Sequence, residues 1–200
     1  MKVIGLTGGI GSGKSYVADV AVKNFEILHI STDEIARRQM LNGGESFYRV
    51  VEEFSKYSDE LLLENGEINR QVLGAIVLND QMLLEKLDSI THPPVIEEVN
   101  KIIETERQNG RYAALMIETA LIYEAGMDSI CDEVWYVYAP RDTRKKRLMA
   151  SRGYSEEKAE GFFRRQKPEE EFLKRAQRVV PNGADVTEEE LVRIICAYLG

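Results

Sequence analysis

Two hundred residues at 22.8 kDa suffice for one domain, or for one core carrying insertions. A composition 44% hydrophobic and 30% charged argues against both a membrane protein and a disordered chain, and no apolar run approaches the roughly 20 residues of a spanning helix. The net charge of −8 excludes a general nucleic-acid binder; the widely separated Cys131 and Cys196 exclude a disulfide scaffold or a cysteine zinc site and fit a reducing cytosol.

The chain starts directly in an apolar run, which leaves no room for a signal peptide, so a cytoplasmic location is expected. Val3 to Thr7 reads as a buried strand that stops at glycines, and Val17, Val20 and Ala21 mark a helix after it. Glu26 to Ile30 reads as a second strand. From Asp33 to about Asn109 the pattern predicts helix throughout: Phe47, Val50, Val51 and Phe54 share one face, as do Leu83, Leu84, Leu87 and Ile90. Pro94 is expected to open a further helix that Gly110 ends. Tyr112 to Ile117 and Glu133 to Ala139 read as strands, Arg141 to Arg152 and Ser155 to Lys167 as helices broken at Gly153, and Arg178 to Val180 as a short last strand. Thr187 and Glu190 form a capping box for a final helix. Strands alternating with helices predict an α/β fold, a five-stranded parallel sheet with helices on both faces. The helical stretch between strands two and three is too long for a crossover and reads as an insertion. The expected division is 1–33, 110–140 and 168–200 for the core, 34–109 for the inserted helical domain, and 141–167 for a lid.

Gly8, Gly9, Ile10, Gly11, Ser12, Gly13, Lys14 and Ser15 match G-x-x-x-x-G-K-[ST] between a strand and a helix, where a phosphate loop belongs. Glycines let successive N–H groups converge on one anion, and the helix N-terminus adds partial positive charge. Lys14 is expected to reach the β- and γ-phosphates of a bound nucleotide, and the Ser15 hydroxyl to ligate a bridging Mg²⁺. Asn100-Lys101 continues as Ile102-Ile103, so the guanine-reading N-K-x-D is missing, and 200 residues are too few for a large motor ATPase. A small-molecule kinase remains, which needs an acceptor site, a base and a lid that excludes water. Asp33, just past the second strand, falls on the rim expected to carry Lys14 and Ser15 and could orient a hydroxyl; the same Ser31-Thr32-Asp33 segment could equally supply a helix cap. Residues 141–167 hold ten basic side chains against four acidic ones, an island suited to a small polyanion or simply a solvated helix face.

Ordered motifs along nearly the whole chain resemble the dephospho-coenzyme A kinase family. Ile4 to Ser15 resembles its opening, Asp33-Glu34-Ile35-Ala36-Arg37 its D-x-I-A-R, and Gly66-Glu67-Ile68-Asn69-Arg70 with Leu73 its G-x-L-x-R. Ile90-Thr91-His92-Pro93 is similar to I-x-H-P, Leu121-Ile122-Tyr123-Glu124 to L-L-[FY]-E, and Arg147-Leu148, Gln166 and Asn182-Gly183 to lid and N-x-G elements. The resemblance implies a P-loop kinase-like fold that uses ATP and Mg²⁺ to phosphorylate the ribose 3′-hydroxyl of dephospho-CoA, the last step of coenzyme A synthesis, with no nucleic-acid or membrane partner. It implies Asp33 as base, Arg70, His92 and Glu124 at the acceptor, Arg147 over the transferring phosphoryl group, and Tyr16 and Asn182 near the nucleotide. Tyr16, Ala120, Arg144, Ser151 and Gln177 depart from the pattern: Arg144 stands in place of a lid Gln, and Ser151 in place of an Arg. A nucleoside or nucleotide kinase, or an ATP-binding module without turnover, are the alternatives.

Overall fold

The computed structural model describes residues 1–78 and 80–200. In chain order the strands are β1 (Lys2–Thr7), β2 (Ile27–Ser31), β3 (Ala114–Glu118), β4 (Glu133–Tyr138) and β5 (Arg178–Pro181). The helices are α1 (Lys14–Asn24), α2 (Thr32–Gln39), α3 (Glu45–Phe54), α4 (Arg70–Val77), α5 (Gln81–Asn109), α6 (Arg141–Arg152), α7 (Glu156–Arg165), α8 (Glu169–Arg175) and α9 (Glu188–Leu199). Two compact units result: Met1–Ile30 with Ile103–Gly200, and Ser31–Ile102.

The first unit is built on a sheet ordered β2-β3-β1-β4-β5, with β1 parallel to both β3 and β4, and β4 parallel to β5. Alternation along β1 sends Ile4 and Leu6 into a core with Val17, Ala18 and Ala21 of α1, Trp135 and Val137 of β4, and Leu191 and Ile195 of α9. Each aliphatic side chain so buried contributes about 1.5–3 kcal/mol. On the other face Gly5 is small for a reason: a Cβ there would stand 2.2 Å from Ile122 Cδ1 and 3.0 Å from Cys131 Sγ. Tyr136 of β4 stacks on Phe172 of α8, ring centroids 5.7 Å apart. The capping box at Thr187 forms as expected, and Gly153 ends α6 at φ 62.

The second unit has its own core of Phe47, Val50, Phe54, Leu61, Ile68, Leu73, Val77 and Ile90. Two expectations fail here. Helix is not continuous after Asp33: residues between Tyr57 and Arg70 carry no α-helix but a bridge pairing Leu62 with Ile68, reversed at Gly66, whose φ of 79 no helix interior adopts. Nor does Pro94 open a helix; Pro93 and Pro94 lie inside the 29-residue α5. Proline in a helix interior removes a hydrogen bond and costs about 3 kcal/mol. Side chains add bonds on either side of the pair: Thr91 Oγ1 donates to Leu87 O at 3.0 Å, and Gln39 Nε2 to Pro94 O at 3.1 Å. Among the described residues no helix is long and apolar enough to cross a membrane.

Candidate active site

The loop between β1 and α1 is held by its own backbone angles and hydrogen bonds. Gly11 and Gly13 take φ of 77 and 87, left-handed values that side chains resist. Ser12 N donates to Gly9 O at 3.0 Å, and Lys14 Nζ to Gly8 O at 3.1 Å. α1 starts at Lys14, so its unsatisfied amides open onto the loop. Tyr16 stands exposed on α1's first turn.

Residues of α6, of the turn after α7 and of the turn after β5 brace this loop from outside. Asn182, buried to 1% exposure just past β5, donates Nδ2 to Ser12 O at 2.7 Å. Arg147 of α6 donates Nη1 to the same carbonyl at 3.1 Å and Nη2 to Gly183 O at 3.4 Å. Gln166, after α7, accepts from Ile10 N at 3.2 Å. Gly9, Tyr136, Arg144, Phe163, Gln166 and Phe172 are among the residues around a cavity of about 490 Å³ against the loop. Tyr136 Oη donates to Glu169 Oε2 at 3.2 Å; burial, then the Glu169 charge, pushes its phenol well above the usual range.

Ser15 leads to a carboxylate that sequence reasoning missed. Its Oγ donates to Glu118 Oε1 at 2.7 Å, and His29 Nε2 donates to Glu118 Oε2 at 3.0 Å. Burial works against the charge on Glu118, but hydrogen bonds from His29 and Ser15 and the charges of His29 and Lys14 outweigh it and hold the carboxyl below its usual range. A clue was available: Glu118 closes the apolar β3, beside β1, at the sheet end where ligands bind. A hydroxyl backed by an ionised carboxylate is a hard oxygen set that fits Mg²⁺, which takes few protein ligands and fills its shell with phosphate oxygens and water. Among the described residues no cluster of three acidic, His or Cys side chains offers a fuller cage.

The structure thus brings the loop residues, Arg147 and Asn182 together in the first unit. Glu124 is there too, paired with Lys167 Nζ at 3.1 Å. Asp33, Arg70 and His92 belong to the second unit. The Ser31-Thr32-Asp33 segment does supply the cap of α2, through Ser31, whose Oγ accepts from Glu34 N; Asp33 is not the cap but the second residue of the helix, exposed. Arg70 Nη2 donates to Arg37 O at 3.0 Å, and His92 Nε2 lies 3.6 Å from Asp88 Oδ1, one turn back on α5.

Comparison with known proteins adds an independent line. The sequence profile of a family described as dephospho-CoA kinase matches residues 2–188. A dephospho-CoA kinase of Moorella thermoacetica is 40% identical over 186 residues, 93% of this chain and 86% of that protein. The crystal structure of a Thermus thermophilus protein superposes with a TM-score of 0.78 at 30% identity, covering 99% of this chain and 96% of that one. A dephospho-CoA kinase from Campylobacter jejuni does so with a TM-score of 0.71 at 25% identity, covering 99% and 98%. A glycine loop braced by Arg147 and Asn182, on a fold shared with those structures and in a sequence matched almost end to end, places the chain in the dephospho-CoA kinase family.

Proposed function

We propose that the protein transfers the γ-phosphoryl group of ATP to the ribose 3′-hydroxyl of dephospho-CoA, giving CoA and ADP. The observation that carries this reading is the glycine loop from Gly8 to Ser15, joined to the family match over residues 2–188. On this reading the first unit binds the nucleotide, with 141–167 as its lid, and the second unit holds the acceptor.

The acceptor oxygen attacks the γ-phosphorus and forms the new O–P bond. The bond to the bridging oxygen breaks, and its electron pair leaves on ADP. Asp33 accepts the hydroxyl proton. Arg70, His92 and Glu124 orient the acceptor. Main-chain amides of Gly9 to Ser15 and the Lys14 ammonium hold the donor phosphates, with Tyr16 and Asn182 toward the nucleoside. Mg²⁺, held through Ser15 with Glu118 behind it, neutralises phosphate charge when bound. Lys14 must exchange Gly8 O for phosphate oxygen, trading a neutral acceptor for a charged and stronger one.

A panel assay tests the reading: purified protein, ATP-Mg²⁺ and single acceptors, with ADP release followed. Turnover with dephospho-CoA is expected. Turnover with nucleosides alone would favour the nucleoside-kinase alternative, and no turnover with any acceptor would favour a binding module.

A further inference from the structure

The basic side chains of the lid segment have distinct fates. Arg141 pairs with Glu160, Lys145 with Glu156 at 2.7 Å, and Lys167 with Glu124 at 3.1 Å. Lys146, Arg152, Lys158, Arg164 and Arg165 are exposed. Arg147 spends both of its terminal nitrogens on backbone carbonyls, Ser12 O and Gly183 O. Arg144, one turn before Arg147 on α6, does none of these things.

Its guanidinium lies directly on the phosphate loop. A Cβ at Gly9 would stand 1.7 Å from Arg144 Nη1 and 2.9 Å from Cζ, so the group fills the space a side chain at residue 9 would take. Arg144 Nε is buried with no hydrogen-bond partner, and no carboxylate pairs with the side chain among the described residues. What holds it is the Phe163 ring, 4.8 Å from Cζ to the centroid. The same side chain lines the cavity against the loop. A buried donor without an acceptor is costly. An anion collected by the loop amides comes to lie beside this guanidinium, which already stands over Gly9.

We propose that Arg144 is a catalytic residue of this chain, touching the phosphoryl group in transfer, and that Arg147 is a positioning residue that fixes the loop beneath it. The proposal rests on the functional reading above. As the bond to the bridging oxygen breaks and its electron pair moves onto ADP, charge spreads over the phosphoryl oxygens, and a preset forked donor meets it without reorganisation.

Steady-state kinetics with dephospho-CoA and ATP test this, together with calorimetric titration of inorganic tripolyphosphate without acceptor. Arg144→Gln is expected to lower kcat about 100-fold at nearly unchanged Tm, the usual cost of one transition-state donor, and to weaken tripolyphosphate about tenfold. Arg147→Gln should instead raise the KM for ATP more than it lowers kcat. Should Arg144→Gln fail to fold, Arg144→Lys decides: a loss of about tenfold in kcat supports the proposal, and wild-type kcat overturns it. For a folded Arg144→Gln, kcat within threefold of wild type overturns it. Should the wild type itself not turn over dephospho-CoA, the functional reading fails separately, and the tripolyphosphate titration still judges Arg144: weakened binding in Arg144→Gln sustains an anion contact, and equal binding removes it.

Discussion

Asn182 and Ser12 are joined by a 2.7 Å hydrogen bond from side-chain amide to backbone carbonyl, across 170 residues of sequence and out of reach of solvent. Asn182 is therefore a strut for the phosphate loop. Asn182→Ala should cost about 1–3 kcal/mol of stability, and ATP should bind about tenfold more weakly, the equivalent of 1.4 kcal/mol. Calorimetry on both proteins checks this; unchanged ATP affinity would show that Arg147 alone holds the Ser12 carbonyl.

The cap of α2 is supplied by Ser31, so a substitution at Asp33 leaves that cap in place. Asp33→Asn is expected to keep ATP affinity and to lose at least about 100-fold in kcat, the range for a lost general base. Equal turnover in the two proteins would remove Asp33 from the mechanism.

Glu118 backs Ser15, so Glu118→Gln should raise the Mg²⁺ concentration for half-maximal rate about tenfold, as loss of a supporting carboxylate commonly does. Chelation of Mg²⁺ should abolish turnover in wild type and variant alike. A variant with the wild-type Mg²⁺ dependence would leave Glu118 a structural partner of Ser15 and His29 with no part in holding the metal.

Gly5 and Ile122 compete for one volume. Gly5→Ala places a Cβ 2.2 Å from Ile122 Cδ1 and should destabilise by about 1–3 kcal/mol. Ile122→Val removes that methyl group, so the double variant should be less unstable than the two single losses together, with coupling near ~1 kcal/mol. Strict additivity in denaturant melts would mean that the strain is relieved elsewhere.

Burial, then the charges of Asp128 and Asp132, raise the Cys131 thiol to about 12, while Cys196 is exposed. A thiol reagent at neutral pH should label one cysteine of the native protein and two after denaturation. Because the folded value lies above the unfolded value of about 8.5, the neutral thiol contributes stability that is full below that pH and is lost as pH climbs toward 12. Cys131→Ala should flatten this alkaline decline; labelling of both thiols in the native state would contradict the burial.

All five strands and the capping box at Thr187 were legible in the sequence, because buried parallel strands read as apolar runs and caps have a local signature. The second unit was less so. Gly66 and the bridge between Leu62 and Ile68 interrupt an apolar spacing that a helix would also satisfy, and Pro93 and Pro94 stay inside α5 where local rules would break it. α8 was not foreseen; its seven residues carry mostly charge and owe their place to Phe172 on Tyr136. In the candidate site the loop announced itself through glycine spacing. Glu118 and Arg144 did not, since single charged residues take meaning only from what the fold sets beside them.

The two donors on the Ser12 carbonyl come from residues 147 and 182. During synthesis the ribosome releases the loop well before its fasteners. A nascent chain therefore carries its anion-gripping motif without them until residue 182 has emerged. A product truncated before β5 keeps the glycine loop but lacks the Asn182 fastener.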